Sequence, residues 1–178
     1  MRLSRLLKIV AAAAIGAVVA TEAWWLANGY RDARACLNAL PALEENGDLV
    51  VDSLKRSGDV FDVVEIGYRR IDAAGTSSGR LRCAFGDGLN GPRHLLGVEL
   101  GGSPIGDARL YFLERFWLGD EAAVESGKAR LRVEVPPLTF LAAMVGRPHP
   151  SLVGALLCLL LAAAMLAANR FAGRARRG

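Results

Sequence analysis

The chain has 178 residues, of which 52% are hydrophobic, a mean hydropathy of +0.27 and a formal net charge of +4. Residues 1–8 and 170–178 hold seven of the 22 basic residues and none of the 18 acidic ones, which leaves a net charge of −3 between them. The basic pI therefore comes from the two ends and argues against a nucleic-acid partner. The high hydropathy is typical of a small domain joined to apolar helices.

The first apolar stretch covers residues 6–25 and follows Arg2, Arg5 and Lys8. A basic start before an apolar run is typical of a cleavable signal peptide and also of an uncleaved membrane anchor. The pair Trp24 and Trp25 favours the anchor, because tryptophan is enriched at membrane interfaces. We therefore predict a first transmembrane helix at residues 9–28, after a short cytoplasmic N-terminus at residues 1–8.

The second apolar stretch, residues 151–168, carries no charge and precedes a basic tail at residues 170–178. Its length is just enough to cross the hydrocarbon core of a bilayer, which predicts a second transmembrane helix at residues 151–169. Arginine and lysine are retained on the cytoplasmic side, so both termini are expected there. This topology predicts a bacterial inner-membrane protein in contact with the lipid bilayer, with residues 29–137 in the periplasm.

Small residues recur along both apolar stretches at helical spacing. Such residues let membrane helices approach closely, and they are candidates for packing against a partner subunit. Packing of the two helices on each other, or the general abundance of alanine, would explain the pattern equally well. The helix-packing candidates are Ala12, Gly16, Ala20, Gly154, Cys158, Ala163 and Ala167.

Residues 29–137 are predicted to form an α+β domain of about five antiparallel strands and one aromatic helix. A short amphipathic helix over residues 30–40 is expected to stop near Pro41, because proline disfavours helix continuation. Alternating apolar residues and turn signals then predict a meander, with Gly67 as a possible bulge. The predicted strands cover residues 49–54, 60–71, 80–85, 94–100 and 128–135.

The aromatic helix is predicted to begin near Asp107, as N-cap, and to end at Gly119. Its apolar face is expected to cover the sheet through Leu110, Leu113, Phe116 and Trp117. Additional aromatic residues make this face wider than one sheet needs. A partner-binding or membrane-facing patch is the alternative to a wholly buried core helix.

Residues 138–150 are interpreted as an interfacial apolar segment and a linker. The apolar run 138–145 is too short to cross a membrane, so we expect it to lie at the outer interface or to dock on a partner. The alternative is that it forms the last core segment of the domain. The partner-contact candidates from both segments are Tyr111, Phe112, Leu138, Phe140, Leu141 and Met144.

Three cysteines are present, and two of them, Cys36 and Cys83, lie in the predicted periplasmic domain. Because thiols on the oxidising side of a membrane tend to pair, we predict a disulfide between them. Two buried free thiols would be the alternative. Cys158 lies within the second apolar stretch and is interpreted as a small packing residue.

No spacing in the sequence indicates a catalytic, metal or cofactor site. His94 and His149 are far apart, and the glycine-rich stretch 86–91 is interpreted as a hairpin turn. We therefore expect the protein to be no enzyme and to bind no cofactor. The best hypothesis is a non-catalytic accessory, structural or assembly subunit of an inner-membrane complex, whose partners are larger integral membrane proteins. The alternative is a membrane-anchored periplasmic ligand-binding or sensory module.

Overall fold

The protein is represented by a computed structural model that describes residues 2–57, 62–88 and 91–145. The chain divides into two compact units. One unit, Leu26–Gly146, contains the sheet, the shorter helices and the C-terminal part of the N-terminal helix. The residues of that helix up to Trp25 belong to the other unit.

The described residues form four α-helices, a π-helical segment and a six-stranded sheet. In chain order the elements are α1 (Arg2–Leu43), β1 (Asp48–Ser57), β2 (Asp62–Asp72), β3 (Gly75–Gly88), β4 (Gly91–Leu100), β5 (Ser103–Pro104), α2 (Asp107–Phe112), the π-helical segment (Leu113–Trp117), α3 (Glu121–Lys128), β6 (Leu131–Val133) and α4 (Pro137–Val145).

The described strands lie in the order β5-β4-β3-β2-β1-β6. Strands β1 to β4 form the predicted antiparallel meander, because each hairpin returns the chain beside the strand before it. Strand β6 lies within the predicted strand 128–135, but it is short and pairs with β1 in parallel. Strand β5 was not predicted, since its two residues, Ser103 and Pro104, carry no alternation.

The predicted fold class, about five antiparallel strands between two transmembrane helices, is wrong. No helix in the described part of the chain has both the length and the apolarity required to cross a membrane. In α1 the uncharged run between Lys8 and Glu22 contains 13 residues, whereas a spanning helix needs about 20. The second predicted span, residues 151–169, lies outside the described residues.

Helix α1 continues through Pro41 and ends at Leu43, beyond the end predicted from the sequence. Pro41 lies in the last turn of the helix, and arginine side chains supply donors to carbonyl oxygens at and after the helix end. Arg109 donates to the carbonyl oxygen of Leu43 at 3.3 Å. Arg130 donates to three carbonyl oxygens that follow the helix, those of Glu44, Glu45 and Gly47.

The hydrophobic core lies between one face of the sheet and the C-terminal half of α1. Alternation along β3 buries Leu81, Cys83 and Phe85, as predicted, and turns Arg80 and Arg82 outward. The largest fully buried side chains among the described residues are Leu40, Leu49, Ile66, Leu81, Leu113, Val51, Val64, Cys36 and Cys83.

The opposite face of the sheet is open and charged. The register aligns Lys55, Glu65, Arg82 and Glu99 in one row across β1 to β4, so that charges alternate in sign. Opposite charges on neighbouring strands attract each other, and Arg82 pairs with Glu99 at 3.4 Å. This face is therefore a solvated surface rather than a second core.

The irregularity expected at Gly67 lies in the strand beside it. The register of β1 against β2 shifts between Val51 and Ser53, which makes Asp52 the extra residue of a β-bulge. A Cβ atom at Gly67 would collide with the hydroxyl oxygen of Ser53. Glycine is needed here because the bulge brings a partner side chain over its backbone.

Candidate functional site

The largest exposed aromatic feature among the described residues is a cluster that we call the aromatic surface, formed by Tyr111, Phe112 and Phe116. These side chains are 63%, 57% and 56% exposed. The Tyr111 and Phe116 rings meet edge-on with their centroids 6.2 Å apart, and the centroids of Phe112 and Phe116 are 5.6 Å apart. Adjacent exposed aromatic rings are typical of a surface that binds another molecule.

The π-helical segment explains how the aromatic surface forms. The amide of Leu118 donates to the carbonyl oxygen of Leu113 at 2.9 Å, a hydrogen bond that spans five residues. Five residues of α-helix would turn Tyr111 and Phe116 to different sides, whereas a π turn brings residues five apart back to one side. The wider turn thus gathers three rings on the solvent side, and such turns are frequent at functional sites.

The other side of this helical segment is fixed to the core. Leu113 is buried, and Leu110, Trp117 and Leu118 pack partly buried against the core. The indole nitrogen of Trp117 donates to the carbonyl oxygen of Asn38 on α1 at 2.8 Å. The aromatic surface is therefore held by a rigid support, which lowers the entropy lost when a partner binds.

Close packing of α3 reinforces this support. A Cβ atom at Gly127 would lie 2.9 Å from the Trp117 ring and 3.0 Å from the Cβ atom of Pro41. Helix α3, which was not predicted, is capped by Asp120, whose carboxylate accepts hydrogen bonds from the amides of Ala122 and Ala123. Glycine at this position lets α3 approach α1 and the π-helical segment together.

The aromatic helix differs from its sequence interpretation in two respects. Phe116, expected in the core, is exposed, because the π turn rotates it away from the sheet. Tyr111 and Phe112, the two partner-contact candidates, lie beside it on the solvent side. The residue before the helix is Gly106, so Asp107 is the first helical residue rather than the N-cap.

Helix α4 carries the remaining partner-contact candidates. Leu138 is 81% exposed, whereas Phe140 is partly buried and packs against the core. The helix thus combines the two interpretations of this segment, with one side turned to the core and Leu138 turned to solvent. The side chains of Leu141 and Met144 lie outside the described set, and all four residues stay candidates.

The helix-packing candidates are only partly described. Gly16 and Ala20 are exposed on α1, and a Cβ atom added at Gly16 would meet open space. The side chain of Ala12 is outside the described set. The candidates of the second apolar stretch also lie outside the described residues, namely Gly154, Cys158, Ala163 and Ala167.

The predicted disulfide between Cys36 and Cys83 is confirmed. Both cysteines are fully buried, and the bond joins the middle of the packed part of α1 to the central strand β3. At this position the disulfide has a structural role, because it joins α1 covalently to the sheet. Such bonds persist in oxidising compartments.

A polar cluster joins the end of α1 to the sheet. The hydroxyl of Tyr68 donates to Oε1 of Glu44 at 2.5 Å, and Arg70 donates to Oε2 of the same carboxylate at 2.9 Å. Burial raises the pKa of Tyr68 above its usual 10.0, and the hydrogen bond and charge of Glu44 raise this pKa further. The tyrosine is therefore a neutral donor that holds Glu44, and the cluster is structural.

An open depression of about 550 Å³ lies on the charged face of the sheet. Its charged lining residues pair with one another, Arg80 with Glu65 at 3.3 Å and Arg82 with Glu99. Within residues 2–57, 62–88 and 91–145, no group of three or more His, Cys, Asp or Glu side chains is placed to hold a metal ion. His94 lies on β4 opposite Gly86.

Two features of the domain were missed from the sequence. The π turn leaves no trace in hydrophobic periodicity, since its five residues also fit an ordinary helix. Asn28 and Asp32 on α1 are 6% and 2% exposed although both are polar. Their spacing of four residues places them on the helix face that carries Cys36, a signal that could have identified them as buried.

No protein-family model, curated protein or solved structure matches this chain, so the functional argument rests on the geometry of its own residues.

Proposed function

We propose that this chain is a non-catalytic accessory or assembly subunit of a larger inner-membrane protein complex. Its α+β domain would lie on the oxidising, periplasmic side and bind a larger membrane protein through the aromatic surface. The exposure of Tyr111, Phe112 and Phe116 on a firmly anchored helical segment is the observation that carries the proposal.

Exposed aromatic rings lower the solubility of a free domain. Their transfer from water to a protein interface is favourable, at about 25 cal/mol per Å² of apolar area. Aromatic residues dominate the binding energy of many interfaces, particularly when the surrounding structure is rigid. The buried disulfide supports an oxidising location for the same domain.

The test is co-purification from a bacterium that produces the protein natively. After extraction in mild detergent, the wild-type chain is expected to elute together with a larger membrane protein. The variant Tyr111→Ser/Phe112→Ser/Phe116→Ser should elute without it. The matched control is Ile71→Ser, which removes an apolar side chain that is 43% exposed on the sheet and should retain the partner.

Circular dichroism and the urea midpoint establish that all three proteins are folded before the elution profiles are compared. Recovery of the wild-type chain as a lone monomer would contradict the proposal. Equal retention of the partner by the triple variant would also contradict it, because the aromatic surface would then make no contribution to assembly.

A second candidate, a ligand-binding or sensory module, is favoured by the depression on the charged face. Arg80 and Arg82 could hold an anionic ligand there, although each already pairs with a carboxylate. Calorimetric titration with small dicarboxylates would test this candidate. A heat of binding that is measured with the wild-type chain and is absent with Arg80→Ala/Arg82→Ala would favour the ligand-binding module over partner binding.

A further inference from the structure

The aromatic surface has features that specify what binds to it, provided that the proposed role in partner binding holds. We propose that its occupant is an amphipathic helix of a partner protein with basic residues flanking its apolar side. Three observations lead to this partner: the spacing of the rings, the charge around them, and the state of the neighbouring sheet edge.

The ring spacing fits a helix. The centroids of neighbouring rings are 5.6 and 6.2 Å apart, close to the pitch of one helical turn, about 5.4 Å. Apolar side chains at positions i and i+4 of a partner helix are separated by a similar distance and can pack across these rings. The surface is itself helical, so ridges of one helix can pack into grooves of the other.

The segment that carries the rings has an excess of acidic residues. Residues 107–121 carry four acidic and two basic side chains. The acidic ones are Asp107, Glu114, Asp120 and Glu121, and all are exposed. The basic ones are Arg109, which donates to the carbonyl oxygen of Leu43, and Arg115, which is also exposed, so the segment has a net charge of −2. A partner with basic flanks is therefore attracted to this region.

The same charge argues against two other occupants. An anionic lipid surface would be repelled, since interfacial helices use lysine and arginine on their polar side. A second copy of the chain, seated with its own aromatic surface on this one, would bring two acidic regions together.

The neighbouring sheet edge disfavours an added strand. On β4 the amide of Leu95 donates to Oε1 of Glu114 at 3.4 Å, and the carbonyl oxygen of Val98 accepts from the amide of Ile105 at 2.9 Å. Because these groups are occupied, an extended peptide would find few backbone partners beside the rings. A helix, which satisfies its own backbone, meets no such requirement.

The experiment uses the purified full-length chain and two fluorescent peptides of about 18 residues, or five helical turns. Both have the same leucine side, with lysine on the polar side of one peptide and glutamate on that of the other. Fluorescence anisotropy is expected to show binding of the lysine peptide at least about tenfold tighter, and the ratio should shrink between about 50 and 500 mM salt.

Two variants connect this preference to the proposed surface. Tyr111→Ser/Phe112→Ser/Phe116→Ser should weaken binding of the lysine peptide at least about tenfold. Asp107→Lys/Glu121→Lys should reduce or reverse the preference between the peptides. Ile71→Ser is the matched control and should bind as the wild type does.

Three outcomes would overturn the inference. Equal affinity for the two peptides would refute the charge preference. If the wild-type chain sediments with phosphatidylcholine–phosphatidylglycerol vesicles and the triple variant does not, the occupant is a lipid surface instead. If the wild-type chain dimerises in analytical ultracentrifugation and the triple variant does not, the occupant is a second copy of the chain. If the triple variant loses its native partner while the peptides bind equally, this inference fails and the proposed function stands.

Discussion

Removal of the Cys36–Cys83 disulfide should destabilise the domain mainly by expanding the unfolded chain. The bond closes a loop with a sequence separation of 47. For a loop of this length, the entropy of closure corresponds to about 4 kcal/mol at 25 °C. A domain of this size is stable by about 5–15 kcal/mol, so the loss is a large part of the total.

The measurement is urea unfolding of the oxidised protein and of protein reduced while unfolded and then refolded, both followed by circular dichroism. Reduction should lower the free energy of unfolding by about 4 kcal/mol and the Tm by about 15 °C. It should also increase the dependence of this free energy on urea, because the unfolded chain without a crosslink exposes more surface.

The variant Cys36→Ala/Cys83→Ala separates the two contributions of the disulfide. It removes the crosslink and also two sulfur atoms that are fully buried. We expect it to be less stable than the reduced protein by about 1–2 kcal/mol, since the lost atoms leave space in the core. Oxidised and reduced proteins that agree within about 1 kcal/mol would refute the loop-entropy reasoning.

Three further changes test the contacts that hold the site. Arg130→Ala should lower the free energy of unfolding in urea by about 1–3 kcal/mol, because three carbonyl oxygens lose a donor. The control Arg82→Ala on the open face should lower it by less than about 1 kcal/mol. Equal losses of stability in the two variants would contradict the capping role of Arg130. Gly127→Ala would place a methyl group 2.9 Å from the Trp117 ring. It should lower the free energy of unfolding by about 1–3 kcal/mol and change the near-ultraviolet circular dichroism spectrum. An unchanged urea midpoint would refute close packing at this position. The pKa of Tyr68 is raised in the folded state from its usual 10.0, so the folded chain holds its proton longer and the free energy of unfolding should fall as the pH rises above about 10. Tyr68→Phe should flatten this decline, and an equally steep decline in the variant would contradict the assignment.

The strands that could be predicted from the sequence are those whose pattern is local. Along β3, Leu81, Cys83 and Phe85 alternate with charged or small residues, and the same alternation appears in the buried and exposed positions of the structure. Consecutive hairpins then require antiparallel neighbours, so the meander β1–β4 follows from the sequence alone. The disulfide could be predicted because cysteine chemistry depends on the compartment more than on the fold.

Other features depend on contacts between distant parts of the chain. Strand β6 pairs with β1 in parallel across about 80 residues, and three residues are too few to show which strand they will join. Arg109 and Arg130 donate to carbonyl oxygens at and after the end of α1, and the sequence near Pro41 does not show these contacts because both arginines come much later in the chain. Propensity is a weak guide where such contacts exist.

The aromatic surface combines both kinds of information. Its residues are visible in the sequence, but their division between core and solvent is decided by a π turn that periodicity does not reveal. An uninterrupted α-helix over residues 107–118 would send Tyr111 and Phe116 to different sides. With the π turn, Leu113 and Trp117 face the core while three rings face solvent.

This geometry connects the fold with the proposed partner binding. The three rings are not part of the core cluster, which consists mainly of residues from α1, the sheet and the π-helical segment, with Phe140 and Ala143 of α4 packed against it. The exposed rings therefore add no core packing, while their apolar area remains in water until something covers it. The proposed partner would explain why a less common helical geometry presents such side chains on a fixed support, and its basic flanks would complement the acidic residues that flank the rings in the sequence.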